Sequence, residues 1–288
     1  MSKILSQSWL NLCADLSLVR SQRVFAEKSA FKSLSAVIIL HVLLAMIIYL
    51  TNGYHGAFQT INNLSAFIPQ VILQWITFMG DMVFPAIVVL FLSRKYPQLV
   101  WLIFLSSLIG LLLTHSVKPL IDASRPAAVL AENSFYLVGK AVHQNSFPSG
   151  HSLTIFVLCA ILVYLIENKL LRITIYCYAL LVAFSRVLVG AHWPIDVLIG
   201  SAFGLITVLL AVRIAQSWSW GLRPSGHFCI VSLLSVAVFK TFSYDGGYPL
   251  VQPLAALIAL SSLMICIYNY IGPTFITSLS PANSSQLK

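Results

Sequence analysis

Long apolar runs separated by short polar connections set the plan of the chain. The runs fall at about 32–50, 76–93, 98–117, 150–166, 171–189, 194–213, 226–242 and 250–271. A bilayer core of about 30 Å takes roughly 20 apolar residues in helical form. Lipid offers no hydrogen-bond partner to an open backbone, so spans of this kind must be helices. The pattern therefore predicts an all-α, polytopic bundle of about eight spans with no separate soluble domain. Residues 1–31 read as a polar to amphipathic lead-in, with 8–19 lying in the interface as a helix and no pattern of a cleavable signal peptide. Residues 52–70 mix Gly, Asn, Gln and Pro with apolar residues and are expected to skim the surface. The division expected is 1–31 as a cytoplasmic or interfacial segment, 32–215 as a membrane core, and 216–288 as additional spans with a short tail.

Composition agrees with this plan. Of 288 residues, 59% are hydrophobic and only 9% charged, against roughly 25% charged in a soluble domain. The net charge of +9 comes from cations that cluster beside apolar runs, which suits membrane orientation rather than nucleic-acid binding. With the N-terminus in the cytoplasm and the spans alternating, about twelve cations fall on the cytoplasmic side and five outside, the sense of the positive-inside rule. Three of those five, Lys118, Arg125 and Arg186, belong to polar motifs. Four of the five cysteines lie inside apolar runs and no CxxC pair occurs, so they read as packing residues.

Most of the chemistry is confined to residues 118–196, in three pieces at the predicted outer ends of spans three to six. The first is Lys118-x6-Arg125-Pro126, the second Pro148-Ser149-Gly150-His151, and the third Ser185-Arg186-x5-His192-x3-Asp196. Arginine's planar fork matches phosphate oxygens in pairs and lysine acts as a point charge. Snorkelling anchors are the alternative for each cation alone, but three beside histidines on the cation-poor side point to an anion site. Ser149 is a natural N-cap, Gly150 admits close approach of a ligand to the backbone, and a helix N-terminus attracts anions. His151, in the first turn, can protonate a leaving oxygen. His192 and Asp196, four apart, are expected to stack on one helix face. The carboxylate then orients the imidazole and leaves its other nitrogen free to attack. A metal pair is the rival reading of that spacing, but three cations would repel a metal and no third carboxylate or cysteine is at hand.

Other polar residues have weaker readings. His41 in the first span reads as a neutral histidine bonded to a neighbouring helix, and Asp81 as a helix cap or a group that shapes the site. Asp122, Glu132, Lys140, His143 and Gln144 read by default as solvated loop residues, with His143 placed to touch a substrate; His115 is undecided. Pro224-Ser225-Gly226-His227 repeats the second motif, but it follows the third motif and falls on the opposite side, so it reads as the start of the seventh span.

The three motifs, in this order and with these internal spacings, resemble the type 2 phosphatidic acid phosphatase family. The resemblance covers about 80 residues directly and about 160 with the flanking spans. It implies metal-independent, cofactor-free dephosphorylation of a lipid phosphate or diphosphate through a phosphohistidine. It implies His192 as nucleophile, Asp196 as its orienting carboxylate and His151 as acid. It implies a phosphate pocket of Lys118, Arg125, Ser149, Gly150 and Arg186. Expected partners are a lipid phosphate substrate and membrane lipid, with undecaprenyl diphosphate, phosphatidylglycerophosphate and phosphatidic acid as substrate types. The expected location is a bacterial inner membrane, with the site on the outer face. A phosphotransferase using the same site and a non-catalytic membrane protein or transporter are the competing functions. The family core has six spans, so the seventh and eighth are an addition that the resemblance does not explain.

Overall fold

The computed structural model describes residues 2–21 and 28–279. Their regular structure is helical throughout: α1 Ser2–Ser21, α2 Lys28–Asn52, α3 Phe58–Asn62, α4 Gln70–Phe78, α5 Val83–Leu92, α6 Pro97–Ile121, α7 Pro126–Val129, α8 Gly150–Leu165, α9 Lys169–Leu188, α10 Pro194–Ser217, α11 Pro224–Phe239 and α12 Gln252–Leu279. Six of the helices described, α2, α6, α9, α10, α11 and α12, are long and apolar enough to cross a bilayer. The bent pair α4 and α5 makes a seventh span if counted as one, and α8, of 16 residues, is a shorter apolar helix. The chain is thus a multi-pass membrane protein.

The bundle is built around α10. In its most apolar window 72% of residues are buried, against 17% in α2, so α10 is the hub and α2 faces hydrocarbon with Leu40, Ile47 and Leu50 exposed. Around α10 pack α8, α2, α6 and α9. The closest approach is to α8 and depends on Gly200 and Gly204, four residues apart on one face of α10. A Cβ at Gly200 would lie 2.5 Å from the Ser149 carbonyl oxygen, and one at Gly204 would lie 2.5 Å from that of Leu153. Small residues at this spacing let two membrane helices meet backbone to backbone, since apolar attraction alone does not distinguish a helix from lipid. The first turn of α8 is thereby fixed against the first turns of α10.

Several sequence expectations change in detail. The second span starts at residue 70 rather than 76 and is bent by 62° at residues 79–82. The break places Gly80 beside α8, where an added Cβ would lie 3.0 Å from His151 Cβ. The third span runs on to Ile121, so Lys118 is on its last helical turn and not in the following loop. Residues 52–70 do more than skim the surface. They form α3 and a 3₁₀ turn at Asn63–Phe67, and buried Asn62 donates to the carbonyls of Tyr136, Val187 and Leu188 at 2.9–3.0 Å. That side chain caps the end of α9 just after Arg186. The interfacial helix expected at 8–19 is longer, Ser2–Ser21.

Candidate active site

The last turn of α6, the 122–149 loop, the first turn of α8 and the end of α9 converge on the His192–Asp196 pair at the start of α10. His192 and Asp196 meet as expected, but not by stacking on a helix. The helix begins at Pro194, and Trp193 is its N-cap. Asp196 stands at the third helical position and turns back, accepting from the Trp193 backbone N–H at 3.0 Å and lying 3.3 Å from His192 Nδ1. A helix start leaves backbone donors unpaired, and a carboxylate there is the natural acceptor. The same capping geometry brings the carboxylate to the imidazole.

Asp196 is fully buried and therefore needs more than one partner. Ser146 Oγ donates to its Oδ2 at 2.5 Å, and Tyr54 donates to Oδ1. Neither residue belongs to the three motifs. Ser146 stands two residues before Pro148 in the polar loop, a position that offered a weak clue. Tyr54 is 142 residues away in sequence and offered none. The Ser149 backbone N–H donates to the Asp196 carbonyl at 3.0 Å, which joins α8 to α10 at the site.

Lys118 and Arg125 are held by backbone oxygens and Arg186 by side-chain hydroxyls. Arg125 Nε donates to the Gln144 carbonyl at 2.9 Å and one of its terminal nitrogens to the Ala191 carbonyl at 3.2 Å. Lys118 Nζ donates to the Asn145 carbonyl at 3.2 Å. Trp193 Nε1 donates to the Ser124 carbonyl at 2.7 Å, tying the first motif to the third. Arg186 is buried, and its Nη1 lies 2.6 Å from Thr77 Oγ1 and 2.5 Å from the Tyr248 hydroxyl. Burial, followed by the charges of Arg125, Arg186 and Lys118, holds the His192 imidazole well below its ordinary pKa. All three cations thus bear on the same ring and favour its neutral form.

Ser149 is the N-cap of α8, its Oγ accepting from the Ser152 N–H at 3.4 Å and from the Ser152 hydroxyl at 2.9 Å. Nothing lies within 4 Å of a Cβ built on Gly150, so the helix start is open there. His151 Nε2 is buried with no hydrogen-bond partner and lies 3.9 Å from Asp81 Oδ2. Asp81 combines both roles considered for it. Its Oδ1 accepts from the Val83 N–H at 3.0 Å, starting α5, while Oδ2 faces His151. A cavity of about 330 Å³ leads away from this pair, lined among others by Pro85, Ile103, Leu111, Leu153, Val157 and Leu234.

The remaining candidates separate from the site. His143 is exposed, and its backbone carbonyl, not its ring, contributes by accepting from the Arg125 N–H at 2.8 Å. His115 is also exposed. Pro224 starts α11, and His227 is buried with Nε2 2.6 Å from the Tyr270 hydroxyl, a packing role within the C-terminal helices. His41 bonds the Val37 carbonyl one turn back in its own helix, not a neighbouring one as expected, and meets α8 only by packing edge-on against Phe156. Among the described residues no three His, Cys, Asp or Glu side chains are grouped to hold a metal ion.

Fold and site together define a class: a multi-pass helical membrane protein with a buried histidine–aspartate pair inside a ring of cations. The model of the PAP2 superfamily matches residues 99–220, which hold all three motifs. It is 29% identical over 133 residues to the undecaprenyl-diphosphatase of Sulfolobus acidocaldarius, covering 46% of this chain and 63% of that protein. It is 33% identical over 108 residues to the lipid A 1-phosphatase of Rhizobium johnstonii, covering 35% of this chain and 43% of that protein. The chain thus spans less than two thirds of the length of these relatives. Among solved structures, a PAP2-type phosphatidylglycerolphosphate phosphatase from Bacillus subtilis aligns with a TM-score of 0.47 at 25% identity, over 64% of this chain and 96% of that one. Tyr54, Thr77, Asp81 and Tyr248 all lie outside the matched segment.

Proposed function

We propose that the protein is an integral-membrane phosphatase that hydrolyses a lipid phosphate or diphosphate through a phosphohistidine. The observation that carries this reading is the buried His192–Asp196 pair inside the three cations of Lys118, Arg125 and Arg186. The names of the relatives, an undecaprenyl-diphosphatase and a lipid A 1-phosphatase, support the same substrate class.

Phosphoryl transfer asks the protein mainly for positioning and charge stabilisation. The cations and the open helix start at Gly150 take the phosphate oxygens. Asp196 accepts from His192 Nδ1, so Nε2 is the nucleophilic nitrogen. Its lone pair attacks phosphorus, the bond from phosphorus to the lipid-side oxygen breaks, and His151 gives that oxygen a proton. Water then attacks the phosphohistidine, His151 takes the proton, the P–N bond breaks, and inorganic phosphate leaves with His192 restored. A depressed His192 pKa keeps the nucleophile neutral in the free protein, and the donor set supports a mechanism without metal. The apolar cavity beside His151 has the chemistry of a lipid tail. The count of cations supports a cytoplasmic N-terminus and a site on the outer face of a bacterial inner membrane.

The test is phosphate release by the detergent-purified protein from a panel of lipid phosphates and diphosphates, in EDTA, beside His192→Ala. Release that survives EDTA and disappears in the variant is expected. Release abolished by chelation would overturn the metal-free mechanism. Release seen only with an added acceptor lipid would replace hydrolysis by phosphotransfer.

A further inference from the structure

The loop joining α11 to α12, residues 243–251, lies beyond the family segment and belongs to none of the motifs. Two of its tyrosines nevertheless reach the site. The Tyr248 hydroxyl is 2.5 Å from Arg186 Nη1, and the guanidinium carbon lies 5.7 Å from the centre of the Tyr248 ring. Thr77 Oγ1 occupies the same nitrogen at 2.6 Å. With Nη1 taken by two oxygens, Nε and Nη2 remain, the edge of the fork that grips two oxygens of one anion. Arg186 Nε is buried with no hydrogen-bond partner, an arrangement that is costly unless an acceptor arrives.

The second tyrosine acts on the other histidine. The Tyr244 hydroxyl donates to Asp81 Oδ2 at 3.1 Å, the oxygen that lies 3.9 Å from His151 Nε2. The loop is built to hold these positions. Gly246 and Gly247 have φ of +65° and +87°, a conformation that L side chains rarely adopt. A Cβ on Gly246 would stand 3.3 Å from Asp81 Oδ2. Tyr248 is buried with Phe78, Val251 and Ala255, and the Leu250 N–H donates to Gln74 Oε1 at 3.1 Å. Gly139, in the loop that carries Arg125, is packed so closely on Tyr248 that an added Cβ would meet its ring at 2.7 Å.

We propose that the 243–251 loop is a working part of the anion site, with Tyr248 as a positioning residue for Arg186 and Tyr244, through Asp81, for His151. The two C-terminal spans then serve to carry this loop to the site. This proposal rests on the reading of the pocket as a phosphate site.

Tyr248→Phe keeps the ring and its packing and removes only the hydroxyl. The purified full chain is compared with the variant for kcat and KM on a lipid that the wild type hydrolyses, for inhibition by orthovanadate, and for melting temperature. A hydrogen bond to a charged group corresponds to about 10- to 100-fold. The expected result is a loss of that order in kcat/KM and in vanadate affinity, with the melting temperature within about 2 °C of wild type. Equal kinetics and equal vanadate affinity would overturn the proposal. If the wild type hydrolyses no lipid, the functional reading fails, and the loop is judged by the rise in melting temperature that vanadate produces. A smaller rise in the variant supports the loop's role, and an equal rise overturns it. Should Tyr248→Phe not fold, Tyr244→Phe replaces it, with a fall of about tenfold or more in kcat expected and an unchanged kcat refuting the role.

Discussion

Gly200→Ala tests whether the helix packing around α10 sets the catalytic geometry. The added methyl would stand 2.5 Å from the Ser149 carbonyl oxygen and 3.1 Å from its backbone nitrogen. These are backbone atoms at the N-cap of α8, so no side chain can swing aside. Restoring ordinary contact requires the two helices to part by roughly 1 Å, which moves His151 relative to His192 and lengthens the 3.0 Å bond from the Ser149 N–H to the Asp196 carbonyl. A misplacement of that size costs on the order of 100-fold in rate, and overpacking costs about 1–3 kcal/mol in stability. Gly150→Ala is the counterpart. It adds the same methyl one residue beyond the Ser149 contact, where nothing lies within 4 Å. Its stability is expected to hold or rise by up to about 1 kcal/mol, while phosphate, which needs that space, binds more weakly and KM rises. The assay is steady-state phosphate release with a melting curve for each variant. If Gly200→Ala has kcat within about twofold of wild type at an unchanged melting temperature, the helix contact does not set the geometry.

Four further outcomes are expected. Tyr54→Phe removes a donor from the buried Asp196 carboxylate and should lower kcat by about 10- to 100-fold, measured on the purified protein. Because the folded pKa of His192 is depressed, protonation is delayed as pH falls. The acid limb of kcat/KM, corrected for substrate ionisation, should therefore lie below about pH 6.5. The same shift means that the unfolded chain takes up the proton first. The stability contribution is present above about pH 6.5 and is lost as pH falls from there toward the folded value, which a melting series in pH would register. His227→Ala strands the Tyr270 hydroxyl and should cost about 1–3 kcal/mol in stability, yet leave phosphate release per folded molecule within about twofold, as read by activity and melting together.

The sequence by itself determined the membrane class and most of the helices, because a bilayer imposes one length and one secondary structure on any apolar run. It also determined which short motifs gather the charge, since cations and histidines are conspicuous among apolar residues. The start of α8 is set by Ser149, a local signal legible without a fold. Tertiary structure alone decided the rest. The bend at residues 79–82 brings Gly80 against His151 of α8, a contact with no local trace. Asp196 reaches His192 through the cap of α10, where the i, i+4 spacing suggested a helix face. Its other partners, Tyr54 and Ser146, and the partners of Arg186, Thr77 and Tyr248, come from segments far apart in the chain. Buried charged and polar groups must find hydrogen bonds wherever the packed helices supply them. Which residues those are depends on which helices touch, and a one-dimensional pattern of apolar runs does not contain that information.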